Sequence, residues 1–102
     1  MKILVIGSGG REHAICWAFA KSAKSPEIFC APGNAGIAAA ATCINISQTN
    51  ISELASFAAE NAIDFTFVGG ETPLALGIVD EFERRNLKII GASQKAAMLE
   101  SS

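Results

Sequence analysis

A glycine-rich loop near the start of the chain has the clearest chemical potential. Residues 7–11 read Gly-Ser-Gly-Gly-Arg and join an apolar run to a stretch with helical spacing. The start of a helix presents backbone N–H groups without partners and a partial positive charge. An anion such as phosphate is the natural ligand there, and Arg11 can add a charge-assisted hydrogen bond. The alternative is a tight turn that only lets strand and helix pack, with Arg11 in solvent.

Two further loops carry residues that could line the opening beside the first glycine loop, which we call the mouth. Glu71 follows Gly69 and Gly70 directly after another apolar run. Its carboxylate can accept hydrogen bonds from sugar hydroxyls or pair with an amine. It could equally be an anion that stabilises the start of the next helix. Residues 32–36, Pro-Gly-Asn-Ala-Gly, either line the mouth or form only a turn.

The first loop departs from the motifs that bind dinucleotides and nucleoside triphosphates. The dinucleotide fingerprint G-x-G-x-x-G requires a third glycine where this chain has Glu12, whose carboxylate would oppose a pyrophosphate. An acidic residue is also expected after the second strand, but residues 30–32 read Cys-Ala-Pro. No Gly-Lys-Ser/Thr follows the loop, so a P-loop is excluded.

Side chains suited to catalysis or metal binding are scarce. The one histidine, His13, has no Asp or Cys partner nearby, so we predict local hydrogen bonding or packing rather than a catalytic triad. Cys16, Cys30 and Cys43 are odd in number and widely spaced. This pattern favours neither a disulfide framework nor a zinc site. We expect three buried thiols in a reducing cytoplasm, and no metal site.

The composition bounds the class of protein. The sequence has 102 residues, of which 50% are hydrophobic, and a net charge of −2. This length predicts a single domain over residues 1–102 with one core. Without a basic excess, a nucleic-acid partner is not expected. No apolar run reaches the roughly 18 residues of a membrane span, so we expect no membrane partner.

Strands alternate with helices along the chain, and three of the four loops that follow the predicted strands are glycine-rich. The strands are predicted over residues 2–6, 27–31, 65–68 and 88–90, with a short extended piece at 43–46. This alternation predicts an α/β fold with an open, doubly wound parallel sheet in the order 2-1-3-4 and helices on both faces. Loops 7–10, 32–36, 69–72 and 91–93 then converge beyond the carboxyl ends of the strands, where such folds bind ligands.

The helices are predicted from periodicity and capping residues. The first covers about residues 11–23. Its apolar stripe contains Ala14, Ile15, Ala18 and Phe19 and is widened by Cys16, Trp17 and Ala20. A second begins after Asn50, whose capping partner is Glu53. A third has Thr72 as its N-cap, and Leu74, Ile78 and Phe82 lie on one stripe. On its exposed side we expect ion pairs of Asp80 with Arg84 and of Glu81 with Arg85. Asn86 is expected to end this helix in the left-handed conformation. A last helix is capped by Ser93 and reaches residue 100.

Five ordered motifs point to a known family. They are residues 7–14 (GSGGREHA), 32–36 (PGNAG), 68–74 (VGGETPL), 77–80 (GIVD) and 96–101 (AAMLES). In these motifs the chain closely resembles the N-terminal domain of the phosphoribosylamine–glycine ligases, over essentially its whole length. The resemblance implies a Rossmann-like, pre-ATP-grasp domain. In this family, ATP phosphorylates the carboxylate of glycine, and the amine of 5-phosphoribosylamine attacks the acyl phosphate to give glycinamide ribonucleotide for purine synthesis.

The resemblance also implies the roles of individual residues. Gly9, Gly10 and Arg11 would contact the phosphoribosyl group, Asn34 and Gly36 would line the mouth, and Glu71 would touch ribose hydroxyls or the amine. ATP and its Mg²⁺ or Mn²⁺ ions would bind in an ATP-grasp region C-terminal to residue 102. The chain is then expected to be one wall of a larger cytoplasmic enzyme, without catalytic residues of its own and inactive in isolation.

Two departures from the family pattern and two alternative functions remain. The family usually has Val-Gly-Pro-Glu and Gly-Pro where this chain has Gly70 and Ala92, and Gly70 loosens the loop that presents Glu71. The alternatives are an NAD-type dinucleotide-binding module, against which Glu12 argues, and a non-catalytic docking domain whose sheet end is covered by a partner domain.

Overall fold

A computed structural model describes residues 1–91 of the chain, with residue 75 described by its backbone only. Five parallel strands form one sheet in the order β3-β2-β1-β4-β5. The elements in chain order are β1 (Lys2–Gly7), α1 (Gly10–Ala20), β2 (Glu27–Pro32), a 3₁₀ turn (Ile37–Ala39), β3 (Thr42–Cys43), α2 (Ile51–Glu60), β4 (Phe65–Val68), α3 (Glu71–Ala75), α4 (Ile78–Arg84) and β5 (Ile89–Gly91).

The predicted order of four strands is confirmed, with one strand added at an edge. The strands β2, β1, β4 and β5 are those expected in the order 2-1-3-4. The extra strand, β3, contains only two residues and pairs Cys43 with Cys30 of β2. It lies at the start of the extended piece that the sequence predicts at 43–46. The helix expected over residues 93–100 and the motif at 96–101 lie outside the described residues.

The sheet is covered on both faces, as a doubly wound fold requires. Alternate residues of the central strand β1 point in opposite directions. Leu4 and Ile6 join a core with α2 and α4, which contains Leu54 and Phe82. Ile3 and Val5 instead pack in a second core with α1. Because β1 is buried on both faces, it reads as an unbroken apolar run.

The first helix is shorter than predicted and packs only part of the predicted stripe against the core. It ends at Ala20 rather than near residue 23. Its buried residues are Glu12 and Cys16. Ile15 and Phe19 of the predicted stripe pack against the second core, whereas Ala14 and Ala18 are exposed. The helix is rich in small and apolar residues all round. The hydrophobic pattern of this helix therefore could not separate its packed positions from its exposed ones.

The second helix begins as its capping residues predict. The Asn50 side-chain oxygen accepts a hydrogen bond from the Glu53 amide at 3.2 Å. In return, Asn50 Nδ2 donates to the Glu53 carboxylate at 2.6 Å. The helix buries Leu54, Ala55 and Ala58 against the sheet.

The predicted third helix is two helices. Gly77, with φ of 84°, separates α3 from α4, because this left-handed conformation interrupts the helical path. The N-cap of α3 is Gly70 and not Thr72, so that prediction is wrong. Ile78 and Phe82 are fully buried as predicted. Asn86 adopts the predicted left-handed conformation, with φ of 61°.

Only one of the two predicted ion pairs on α4 forms. Glu81 pairs with Arg85 at 2.7 Å as expected, and also with Arg84 at 2.5 Å. The predicted pair between Asp80 and Arg84 is wrong, because Glu81 takes the Arg84 guanidinium. Hydrogen bonds from Arg84 and Arg85 lower the pKa of the Glu81 carboxyl below its usual value.

The three thiols are free and lie near the α1 face of the sheet. Cys16 and Cys30 are buried as predicted, but Cys43 is only partly buried. The hydrogen bond with Cys16, together with burial, raises the pKa of Cys30 far above its usual range; the same hydrogen bond lowers the pKa of Cys16. The Cys30 thiol is therefore protonated at ordinary pH.

Candidate functional site

Three of the four loops predicted to act together, residues 7–10, 32–36 and 69–72, meet at the topological switch point of the sheet, and of the fourth only Gly91 lies within the described residues. From β1 the chain builds β2 and β3 on one side, then crosses to place β4 on the other side. Ile6 pairs with Val68, so β1 and β4 end side by side. The crevice between such diverging connections is where open parallel sheets bind ligands.

The first glycine loop, residues 7–10, leaves the start of α1 open. Gly7 has φ of +138°, which a side chain would oppose. The space above Gly10 is empty, since a Cβ there would meet nothing within 4 Å. Among residues 1–91, no group accepts a hydrogen bond from the amides of Gly10, Arg11 or Glu12. Three N–H groups at the start of an 11-residue helix are thus available to an anion.

Arg11 bridges the crevice. Its side chain is exposed, and Nη1 donates a hydrogen bond of 3.2 Å to the carbonyl oxygen of Gly69, after β4. No carboxylate of the described residues forms an ion pair with it. The guanidinium is therefore held at the rim by one contact and retains donors for a phosphate group.

Glu12 fills the bottom of the crevice. It is only 7% exposed, and Oε1 accepts a hydrogen bond from the Gly9 amide at 2.9 Å. A Cβ at Gly7 would lie 2.6 Å from this carboxylate, and a Cβ at Gly69 would collide with Oε2. The inner side of the loop is therefore closed to an anion, which can approach only from the side of Gly10 and Arg11.

Sequence reasoning treated Glu12 only as an obstacle to dinucleotides and missed its place in the site. The available signal was its position three residues after Gly9, the spacing at which an acidic side chain reaches back to the N-cap amide. The dinucleotide fingerprint uses a glycine there for close helix–strand packing. Here a buried carboxylate occupies that space.

The second glycine loop, residues 32–36, is tied to the first. Asn34 Nδ2 donates to the Ser8 carbonyl at 2.6 Å, and Oδ1 accepts from the Ile37 amide at 2.9 Å. Gly36 faces the His13 ring so closely that a Cβ would lie 3.0 Å from Cε1. The half-buried His13 thus packs locally, as predicted. Both Asn34 and Gly36 shape the mouth through contacts within the protein.

Glu71 lies at the mouth on the third glycine loop, residues 69–72. It is exposed as the first residue of α3, and no group of the described residues binds its carboxylate. Gln48, which sequence reasoning also missed, approaches this loop: a Cβ at Gly70 would lie 3.3 Å from Gln48 Oε1. No local motif signals Gln48, because the contact depends on how the β3–α2 connection crosses the sheet.

Depressions and metal ligands do not point to a competing site at this end of the sheet. A shallow depression of about 270 Å³ adjoins Gly10 and is lined by His13, Ala14 and Trp17. A larger one of about 640 Å³ lies along β5 beside Phe65 and Leu87, away from the glycine loops. Within residues 1–91, no three His, Cys, Asp or Glu side chains are grouped to hold a metal ion. No helix of this part is long and apolar enough to cross a bilayer.

The fold and the crevice define an open, doubly wound α/β domain whose switch point presents unpartnered backbone amides and the Arg11 side chain. A family model described as "Phosphoribosylglycinamide synthetase, N domain" matches residues 1–100. The chain belongs to this family, as the motifs indicated.

Named relatives are similar in sequence to this chain over its whole length. A protein of Caldanaerobacter subterraneus subsp. tengcongensis, named phosphoribosylamine–glycine ligase, is 58% identical over 102 residues. One of the same name from Neisseria meningitidis serogroup B is 53% identical. Each alignment covers 100% of this chain but 24% of the relative, so the chain spans about a quarter of their length. The crystal structure of phosphoribosylamine–glycine ligase from Thermotoga maritima superposes with a TM-score of 0.53 and 30% identity, over 71% of this chain and 16% of that one.

Proposed function

We propose that this domain forms the phosphoribosyl side of the active site of an ATP-dependent ligase that joins glycine to 5-phosphoribosylamine. The product is glycinamide ribonucleotide, an intermediate of purine synthesis. Two relatives of this chain are named phosphoribosylamine–glycine ligase, which supports this reaction. The observation that carries the domain's part in it is the pairing of three free amides at the start of α1 with the Arg11 guanidinium across the β1–β4 crevice.

The phosphate binds at the outer side of the first glycine loop. Gly10 and Arg11 offer free backbone N–H groups there, and the guanidinium supplies a second contact. Gly9 serves the site differently, because its own N–H is bonded to Glu12. It lets the backbone come close to the ligand while the amide keeps Glu12 in place.

The other predicted residues line the mouth. Asn34 holds the first and second glycine loops together through both ends of its amide, and Gly36 allows them to pack against His13. Glu71 is the acceptor for ribose hydroxyls or the amine, since its carboxylate is exposed and free of partners in residues 1–91.

ATP and its Mg²⁺ or Mn²⁺ ions bind outside this chain, in the ATP-grasp region that is the domain's partner in the same protein. The three quarters of the relatives' length that this chain does not span provides room for such a region. ATP there supplies the phosphoryl group that activates the carboxylate of glycine. The free thiols Cys16, Cys30 and Cys43 support a reducing, cytoplasmic location.

A chimera tests this function. Residues 1–102 replace the matching residues of the Caldanaerobacter relative, and formation of glycinamide ribonucleotide is measured with ATP, glycine and phosphoribosylamine. The chimera is expected to be active and the isolated 102-residue chain inactive. A folded but inactive chimera beside an active parent, or turnover by the isolated chain, would contradict the proposal.

A further inference from the structure

Glu12 is the one charged side chain that is buried in residues 1–91. It is 7% exposed and receives one hydrogen bond, from the Gly9 amide to Oε1. Burying a carboxylate is costly unless it is paired or well hydrogen-bonded. No Lys or Arg of the described residues forms an ion pair with it.

The second carboxylate oxygen of Glu12 faces the ligand crevice. Oε2 lies against Gly69, between the ends of β1 and β4, and makes no hydrogen bond with a described residue. Every fully buried side-chain oxygen of these residues has a partner. Oε2, which has no such partner, is therefore not fully buried, and it lies beside Gly69 at the end of the crevice.

A purely structural role does not require the charge. A glutamine side chain could accept the Gly9 hydrogen bond with nearly the same shape, because capping boxes use either residue. A carboxylate at this point weakens an anion site unless the ligand also brings a hydrogen-bond donor. The site thus has a cationic rim at Arg11 and an anionic floor at Glu12, which suits a ligand with a phosphate and a donor group.

We propose that Glu12 Oε2 accepts a hydrogen bond from the sugar of the ligand, through a hydroxyl or the amine, while Gly10 and Arg11 hold the phosphate. Glu12 is then a specificity-determining residue that favours sugar phosphates over free phosphate. The inference rests on the proposed function and adds a contact that the first glycine loop's motif did not suggest. Free phosphate can offer this carboxylate only a P–OH group that stands next to its own negative charge. A sugar phosphate instead brings a hydroxyl or amine at a distance from its phosphate, which gains a charge-assisted hydrogen bond with less repulsion.

The test compares probes that share the phosphate. Dissociation constants of inorganic phosphate, ribose 5-phosphate and phosphoribosylamine are measured for the 102-residue chain and for Glu12→Gln. In the unmodified chain the sugar phosphates bind more tightly than phosphate. Glu12→Gln is expected to reduce that preference by about five- to tenfold, the difference between a charged and a neutral hydrogen bond. A larger loss for phosphoribosylamine than for ribose 5-phosphate identifies the amine as the donor; an equal loss identifies a hydroxyl.

Two further variants keep the test decisive. Gly69→Ala places a Cβ against Oε2, so it should reduce the preference while the charge stays, and it replaces Glu12→Gln if that variant does not fold. The control Glu60→Gln removes an exposed carboxylate at the end of α2 and should change nothing. An unchanged preference in the Glu12 and Gly69 variants would overturn the role of Glu12 alone. If the unmodified chain binds none of the three probes, the proposed function itself fails.

Discussion

Asn34 fastens its loop to Ser8, 26 residues earlier in the chain: Nδ2 donates a hydrogen bond of 2.6 Å to the Ser8 carbonyl. The same amide group accepts a hydrogen bond of 2.9 Å from the Ile37 backbone. One exposed side chain therefore fixes the distance between the first and second glycine loops.

Replacing Asn34 should loosen this link. Asn34→Ala is expected to lower the free energy of unfolding by about 1–3 kcal/mol, since each lost hydrogen bond contributes about 0.5–1.5 kcal/mol. Asn34→Asp keeps the acceptor for Ile37 and should lose less. Urea denaturation measures both, with the exposed Asn45→Ala as control. Equal stability of Asn34→Ala and Asn45→Ala would show that the link contributes nothing.

Arg11 should matter for binding and little for folding. Arg11→Ala is expected to weaken ribose 5-phosphate binding at least about tenfold, because a hydrogen bond to a charged group contributes about 1.5–3 kcal/mol. Arg11→Lys keeps the charge without the fork and should lie between. Arg84→Ala, an exposed arginine paired with Glu81, is the matched control. The assignment of Arg11 is wrong if both alanine variants bind ribose 5-phosphate equally well.

Gly70→Pro should stabilise the loop before Glu71. Gly70 has φ of −88° and ψ of 152°, near the range of proline, and its amide donates to no described residue. Reduced freedom of the unfolded chain should add about 0.4–1 kcal/mol to the free energy of unfolding. The nearest obstacle is the flexible end of Gln48. A destabilised Gly70→Pro that is not restored by adding Gln48→Ala would refute this reading of the loop.

The core that carries α4 should be sensitive to truncation. Phe82 is fully buried between α4, α2 and the sheet, so Phe82→Ala is expected to lower the free energy of unfolding by about 3–5 kcal/mol. Leu76 is 53% exposed, and Leu76→Ala should change stability by no more than about 0.5 kcal/mol. Thermal or urea denaturation compares the two. Similar losses would mean that Phe82 is not a core residue.

The ion pairs of Glu81 with Arg84 and Arg85 should stabilise the fold less in acid. Hydrogen bonds from Arg84 and Arg85 lower its pKa in the folded state. Its contribution is therefore complete above the unfolded pKa of about 4.3 and disappears as the pH falls through the folded pKa. The melting temperatures of the unmodified chain and Glu81→Gln should differ at pH 7 and converge as the pH falls through the lowered folded-state pKa of Glu81. A difference that is constant with pH, or insensitive to salt, would contradict this.

The central strand β1 and the N-cap of α2 were predictable because each has a local cause. The run from Ile3 to Ile6 is apolar without interruption, and Asn50 and Glu53 have capping-box spacing. The edge strand β3 could be predicted only as an extended piece and not as a strand of the sheet. Its two residues show no periodicity, and they pair only because Cys30 is already in the sheet. The break at Gly77 was missed because an isolated glycine is tolerated within a helix.

The loops of the candidate site could be predicted from the sequence, but the buried contacts beneath them could not. Glycines after strands place residues 7–10, 32–36 and 69–72 at one end of the sheet, where the structure has them. The burial of Glu12 and the approach of Gln48 depend on how α1 and the β3–α2 connection pack over β4. Only the reach of Glu12 back to the Gly9 amide has a spacing in the sequence that reveals it. The contacts of Glu12 with Gly69 and of Gln48 with Gly70 have none.

The most direct test of the anion site is a titration of the ¹⁵N-labelled chain with ribose 5-phosphate, followed by amide chemical shifts. Saturable shifts are expected at Gly10, Arg11 and Glu12 and in the loop after β4, while amides around Leu87 beside the larger depression stay in place. No saturable shift at the start of α1, or shifts centred on β5, would contradict the account.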